Sequence, residues 1–175
     1  MTREIRIEEG KLKVVFEIQE NGVVELKQFD PAGRMDVKER DRGEEDFYPI
    51  TEVQITGRGT RGMHAYKHNV SGGATDFVYQ SHEVLENEKG KELVIHTATG
   101  YGVKAEYHMQ FFNGVVAVQV WTVLKNEGTE AIGLEYVSSF IYQGLCQSGE
   151  KPYFEKTSVY TPHNSWDCES QWRKN

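Results

Sequence analysis

Apolar and polar residues alternate along most of this chain with a period of two. Leu12, Val14, Phe16 and Ile18 interleave with Lys13, Val15, Glu17 and Gln19, which predicts a half-buried β-strand. Asn21-Gly22 follows, a dipeptide suited to the positive φ angles of a hairpin turn, and residues 23–29 read as the return strand. Residues 1–7 predict a short edge strand, and Glu52 to Thr56 another strand. The densest pattern runs from Asp76 to Leu145, as five consecutive strands with polar turns between them. Asn87 to Gly90 closes the first turn and Gly100-Tyr101-Gly102 the second. In the third strand Val103, Ala105, Tyr107, Met109 and Phe111 point one way, and Lys104, Glu106, His108 and Gln110 the other. Asn113-Gly114 is a further hairpin signal. The run from Val115 to Leu124 is almost wholly apolar, which predicts a central strand buried on both faces. The fifth strand is expected over Ala131 to Tyr142. No helical period and no internal repeat stand out. Strands at this spacing, with glycine-rich turns, predict an all-β fold of two large stacked antiparallel sheets.

Asp30 to Tyr48 breaks the pattern with Pro31, Gly33, Gly43 and a dense mixture of charges, and reads as a long solvated loop. The rest of the composition narrows the function classes. The 175 residues suffice for one domain with its own core. A formal net charge of −7 argues against a phosphate-binding surface, and no basic stripe interleaved with aromatics offsets it. No apolar run reaches the roughly 18 residues of a membrane span, and the charged first residues do not resemble a signal peptide. Cys146 and Cys168 stand far apart, which suits a reducing cytoplasm better than a disulfide framework. In that setting Asn69-Val70-Ser71 is a chance match to the glycosylation pattern.

The compact cluster of candidate functional groups lies between Gly57 and Asn69. Three glycines there separate Arg58, Arg61, His64, Lys67 and His68. Guanidinium, ammonium and imidazole groups suit hydroxyl-rich or anionic ligands, and these five residues are the candidate substrate contacts. The alternative is a polar loop closed on its own hydrogen bonds. His64 and His68 are four apart, but no third ligand accompanies them, so no metal site and no cofactor is expected. Glu106 and His108 share one strand face and could serve acid–base chemistry, although polar residues usually form the solvated face of such a sheet. No nucleophile elbow, Cys/His pair or glycosidase carboxylate pair stands out. Trp166 and Trp172 fall within the last ten residues, and aromatics of that size need cover from the sandwich or from a partner domain.

Three stretches together resemble the N-terminal domain of glycoside hydrolase family 36, the α-galactosidase or melibiase family. The first is Phe77-Val78-Tyr79-Gln80-Ser81-His82-Glu83. The second runs from Gly114 to Gly128 and ends in Leu134-Glu135-Tyr136-Val137-Ser138-Ser139-Phe140. The third is Pro162-His163-Asn164-Ser165-Trp166 with Glu169 and Gln171-Trp172-Arg173. The resemblance implies a β-supersandwich of the galactose mutarotase type over residues 1–175, with residues 160–175 as an exit segment toward an absent (β/α)8 barrel. That barrel holds the family's catalytic pair, so no catalytic residue is carried over. The implied role is a non-catalytic domain of a cytoplasmic retaining α-galactosidase, partnered by its own barrel, by a carbohydrate and by further copies in a homo-oligomer. The chain's close after Trp172-Arg173-Lys174-Asn175 agrees with a boundary ahead of the barrel. Gly57, Gly59 and Arg61 also fall on a Gly-Thr-Gly-Asp-Phe-Arg-like loop of some members, with Gly62-Met63-His64 replacing its later part. Two other readings stand beside this one. A mutarotase-like enzyme would use His82, His96, His108 and Glu106 in a concave sheet, and a sugar-binding or structural module would present Tyr66, Tyr101 or Trp121 on an open face.

Overall fold

The computed structural model describes residues 3–31, 48–61, 70–142, 155, 158–166 and 168–174. The chain divides into two compact units. The first carries β1 (Arg3–Glu9), β2 (Leu12–Ile18), β3 (Val24–Pro31), β4 (Val53–Ile55), β5 (Thr60–Arg61), β6 (Val70–Ser71), a 3-10 turn (Ala74–Asp76), β7 (Val78–Asn87), β8 (Gly90–Ala98), β9 (Val103–Phe112), β10 (Val115–Asn126) and β11 (Leu134–Val137). The second carries β12 (Tyr160–Ser165) and β13 (Cys168–Lys174). No helix among the described residues is long and apolar enough to cross a membrane.

In the first unit every strand pairing is antiparallel. β1-β2-β3 form one sheet and β10-β9-β8-β7 a second, while β11-β4 and β5-β6 form two-stranded ladders. The first two sheets stack as a sandwich. Leu12, Val14, Phe16 and Ile18 of β2 share one core with Leu93 and Ile95 of β8 and with Tyr107, Met109 and Phe111 of β9. Each such side chain contributes on the order of 1.5–3 kcal/mol when fully buried. Phe16 and Tyr107 meet edge to face across the layers, with ring centroids 5.8 Å apart. A smaller core of Val53, Ile55, Phe77, Val103 and Ala105 lies beneath β4.

The apolar faces expected of β2 and β9 are buried as expected, with Val15 and Gln110 of the opposite faces buried as well, and residues 1–7 fall largely within edge strand β1. Asn113-Gly114 forms the two-residue turn between Phe112 and Val115, with Gly114 at φ 73°. At the β7–β8 turn the Asn87 side chain accepts hydrogen bonds from the Lys89 and Gly90 backbone N–H groups. Of the loop expected over Asp30 to Tyr48, residues 32–47 lie outside the described residues. Beyond them the Tyr48 N–H donates to Glu25 Oε1 at 2.7 Å, and Pro49 bridges to Glu25.

Two expectations are corrected. β10 is not central: among the described residues it ends its sheet, and Val115 and Val116 are 58% and 51% exposed. A uniformly apolar sequence specifies contact with apolar surface, not a neighbour on each side. The fifth strand, expected over Ala131 to Tyr142, also differs. It shortens to Leu134–Val137 and pairs with β4 rather than β10. The residues after β10 explain the departure. The Glu127 N–H donates to Gly102 O, and Gly102 packs so tightly on Gly128 that a Cβ there would lie 2.7 Å from the Gly128 Cα. The Thr56 N–H then donates to Gly133 O as β11 joins β4. Seven residues (127–133) carry the chain over, too many for the tight turn that would have kept it beside β10.

Among its described residues the second unit forms an antiparallel hairpin in which Pro162 pairs with Trp172 and His163 with Gln171. Trp166 at its turn is 93% exposed and Trp172 is 63% exposed. Two strands alone are marginal in water, and these rings offer apolar area that the hairpin itself does not use.

Candidate functional site

Of the glycine-rich segment, residues 57–61 lie among the described residues of the first unit. Gly57 and Gly59 have φ of 82° and 67°, left-handed values that favour glycine, and Arg58 sits between them. Its carbonyl lies against Gly72, where a Cβ would overlap the Arg58 oxygen. The Gly72 N–H donates to Gly59 O at 2.8 Å. Behind this approach, the Ser71 N–H donates to Glu52 Oε1 and the Ser71 hydroxyl donates to Val53 O, each at 2.8 Å. The backbone at Arg58 is therefore held against Gly72, and the Arg58 N–H donates to Ile55 O at 3.0 Å.

The Arg58 guanidinium lies 4.2 Å over the Tyr101 ring, and its Nη1 is 3.5 Å from Asp76 Oδ2. The Tyr101 hydroxyl donates to the same oxygen at 3.4 Å. Burial raises the Tyr101 hydroxyl pKa, Asp76 raises it further, and Arg58 offsets part of the rise. The result is a half-exposed cation presented on an aromatic ring and steadied by a carboxylate. Such a group can donate to hydroxyl or anionic oxygens. Arg61 is placed in β5, where it pairs with Val70. His64, Lys67 and His68 lie outside the described residues. Tyr101 and Asp76, the partners that fix Arg58, belong to other turns and carry no sequence signal linking them to it.

The polar residues of the central sheet converge on its outer face. The Glu92 carboxylate can only accept, so the His108 Nδ1–H donates to its Oε1, at 2.8 Å. The His108 Nε2 lies 3.7 Å from Glu106 Oε2. The Lys125 ammonium donates to Glu106 Oε1 at 2.5 Å, and this bond holds the Glu106 carboxyl below its ordinary range. His96 lies 3.3 Å from Glu83. His82 departs from this set: its register opposite Ile95 places it on the other face, where it meets the Tyr79 hydroxyl at 2.7 Å. His96, His108 and Glu106 do come together, then, but each carboxylate of the cluster already accepts from a cation or an imidazole. Among the described residues no three His, Cys, Asp or Glu side chains are placed to hold a metal ion.

No family profile and no curated protein matches the chain. Two solved structures are similar to it in fold. One is the GH36 α-galactosidase AgaA from Geobacillus stearothermophilus, with a TM-score of 0.52 and 13% identity. The other is its A355E variant in complex with 1-deoxygalactonojirimycin, with a TM-score of 0.51 and 14% identity. In both, the match covers 75% of this chain and 23% of that one. At this identity the likeness shows the fold: the chain is an all-β antiparallel sandwich similar to part of a GH36 α-galactosidase.

Proposed function

We propose that this chain is a non-catalytic N-terminal domain of a cytoplasmic α-galactosidase-like glycoside hydrolase. It covers and supports a catalytic barrel of the same polypeptide, contributes to assembly of a homo-oligomer, and lends Arg58 to a carbohydrate. The observation that carries the reading is the fold likeness to the GH36 enzyme over three quarters of the chain. Two features agree with it. The carboxylates of the outer-face cluster are engaged internally, which suits a scaffold better than a glycosidase acid and nucleophile. Leu134, Tyr136, Val137 and Phe140 are exposed around a four-residue strand, and such a patch suits a docked domain. A reducing compartment suits two widely spaced cysteines.

The reading is tested in two steps. The purified chain is assayed on an aryl α-galactoside, where no turnover is expected and sustained turnover overturns the non-catalytic role. The natural reading frame containing these residues is then expressed. It is expected to encode a barrel with two catalytic carboxylates and to hydrolyse the same substrate. A reading frame without such a barrel overturns the parent assignment.

A further inference from the structure

The outer face of the β7–β10 sheet holds an aromatic ring whose plane is fixed in advance. One row of cross-strand neighbours is Glu83, Val94, His108 and Trp121. Glu92 and Glu106 stand in the rows on either side. They flank the His108 imidazole along the strand direction, one through the 2.8 Å hydrogen bond and the other at 3.7 Å. Lys125 in turn pins Glu106. The Trp121 indole lies parallel to this clamped imidazole, with 8° between the planes and 4.8 Å between centroids. Val94 sits on the same outer face yet is only 3% exposed, so the side chains above it are closely packed. Trp121 is half-buried and retains surface open to solvent.

We propose that this face is a saccharide platform centred on Trp121, taking a neutral pyranoside. The inference rests on the carbohydrate reading above and adds, on the sheet face, a contact distinct from the one at Arg58. A pyranose has an apolar C–H face that matches an indole and hydroxyls that need a polar rim. Gln119 and His96 lie on the same face, in the rows on either side of Trp121, and supply both donors and acceptors. A ring already held by His108 loses little conformational freedom on binding, which is how a flat surface gains affinity. A cationic ligand fits less well, because Glu83, Glu92 and Glu106 already accept from His96, His108 and Lys125.

The test is a titration of the whole chain with methyl α-D-galactopyranoside and with raffinose, followed by the indole N–H resonances and by saturation transfer to the sugar ring protons. The Trp121 resonance is assigned by its loss in Trp121→Phe. The expected result is a dose-dependent shift of that resonance together with saturation transfer. Trp121→Ala is expected to weaken binding about tenfold, the size of a lost aromatic stacking contact. His108→Gln, which frees the indole, weakens it less. The shift in the unaltered chain is informative even if Trp121→Ala fails to fold. A silent Trp121 resonance up to the solubility limit of both sugars overturns the platform, as does binding that survives Trp121→Ala but is lost in Arg58→Ala. Neither outcome touches the parent assignment, which the reading-frame experiment decides.

Discussion

β9 and β10 are hydrogen-bonded neighbours of ten and twelve residues, and both turn apolar side chains toward the same two core clusters. Their fates differ. Val103, Ala105, Tyr107, Met109 and Phe111 of β9 are sealed, whereas Val118, Val120 and Leu124 of β10 are only half-buried. β9 has a strand on each side and a sheet above it. β10 has β9 on one side and, among the described residues, no strand on the other. Apolar content thus measures how much cover a strand needs, and position in the sheet decides how much it receives. The less apolar of the two strands, marked by strict alternation, is the better buried.

The largest effect that could break this contrast is expected opposite β9. Phe16 is fully buried against Tyr107, and Phe16→Ala is expected to cost about 3–5 kcal/mol through lost transfer energy and the cavity left behind. Urea denaturation of the chain measures it. A cost below about 1 kcal/mol would mean that the sandwich core is looser than β9's burial implies.

A smaller effect is expected where Gly72 meets Arg58. Gly72 lies against the Arg58 carbonyl, so Gly72→Ala must displace one backbone segment from another. The expected cost is about 1–3 kcal/mol, as for other overpacked sites. Because Arg58 stacks on Tyr101, the near-ultraviolet signal of the tyrosines should change as well. An unchanged spectrum would mean that Arg58 is held by its side-chain contacts alone.

On the outer face the effect is smaller again and depends on pH. The hydrogen bond from Lys125 depresses the folded-state pKa of Glu106, and those from Lys27 and Arg6 depress that of Glu4. A depressed carboxyl pKa contributes stability above the unfolded value, and that contribution is lost as pH falls through the folded one. The chain should therefore lose stability on acidification below about pH 4.5, the range where unfolded glutamates titrate. Glu106→Gln should remove part of that dependence while costing less than about 1 kcal/mol near neutrality, since the pair is partly exposed. Denaturation curves for both proteins across pH 3–7 measure the difference. Identical pH slopes would show that Lys125 does not stabilise the Glu106 carboxylate in solution.

Sequence patterns revealed what is local. The alternation of β2 and β9, the Asn113-Gly114 turn and the Asn87 turn each lie within a dozen residues, and each is as expected. The pairing of β11 with β4 joins residues roughly eighty apart, and nothing in either segment marks the other. The outer-face site shows the same limit on a finer scale. A regular hairpin closed at Phe112 and Val115 would put Trp121 opposite Glu106. An irregularity between Val115 and Val118 shifts the register by two residues, so Trp121 faces His108 instead. Residue types alone identified Glu106, His108 and Trp121 as candidates, but which of them stack was decided by a bulge without a sequence signature. Arg58 was legible as a cation among glycines, while its partners Tyr101 and Asp76 arrive from turns far along the chain.

The smallest predicted effect is the most direct test of the contrast between the two strands. If β10's tip and β11 carry apolar surface that this chain does not use, replacing that surface should be nearly free. Val116→Thr and Tyr136→Ser each remove apolar area that is about half exposed, without opening a cavity in either core cluster. Each is expected to change unfolding free energy by no more than about 0.5 kcal/mol. Together they should lower the binding of a hydrophobic dye to the folded chain, because the patch it would occupy has shrunk. Dye fluorescence alongside urea denaturation gives both readings from one preparation. A cost near that of Phe16→Ala would mean that the flank is packed from within and that β10 is as well buried as β9. A cost near zero with unchanged dye binding would place the chain's accessible apolar surface elsewhere, with Trp166 and Trp172 of the β12–β13 hairpin the next residues to replace.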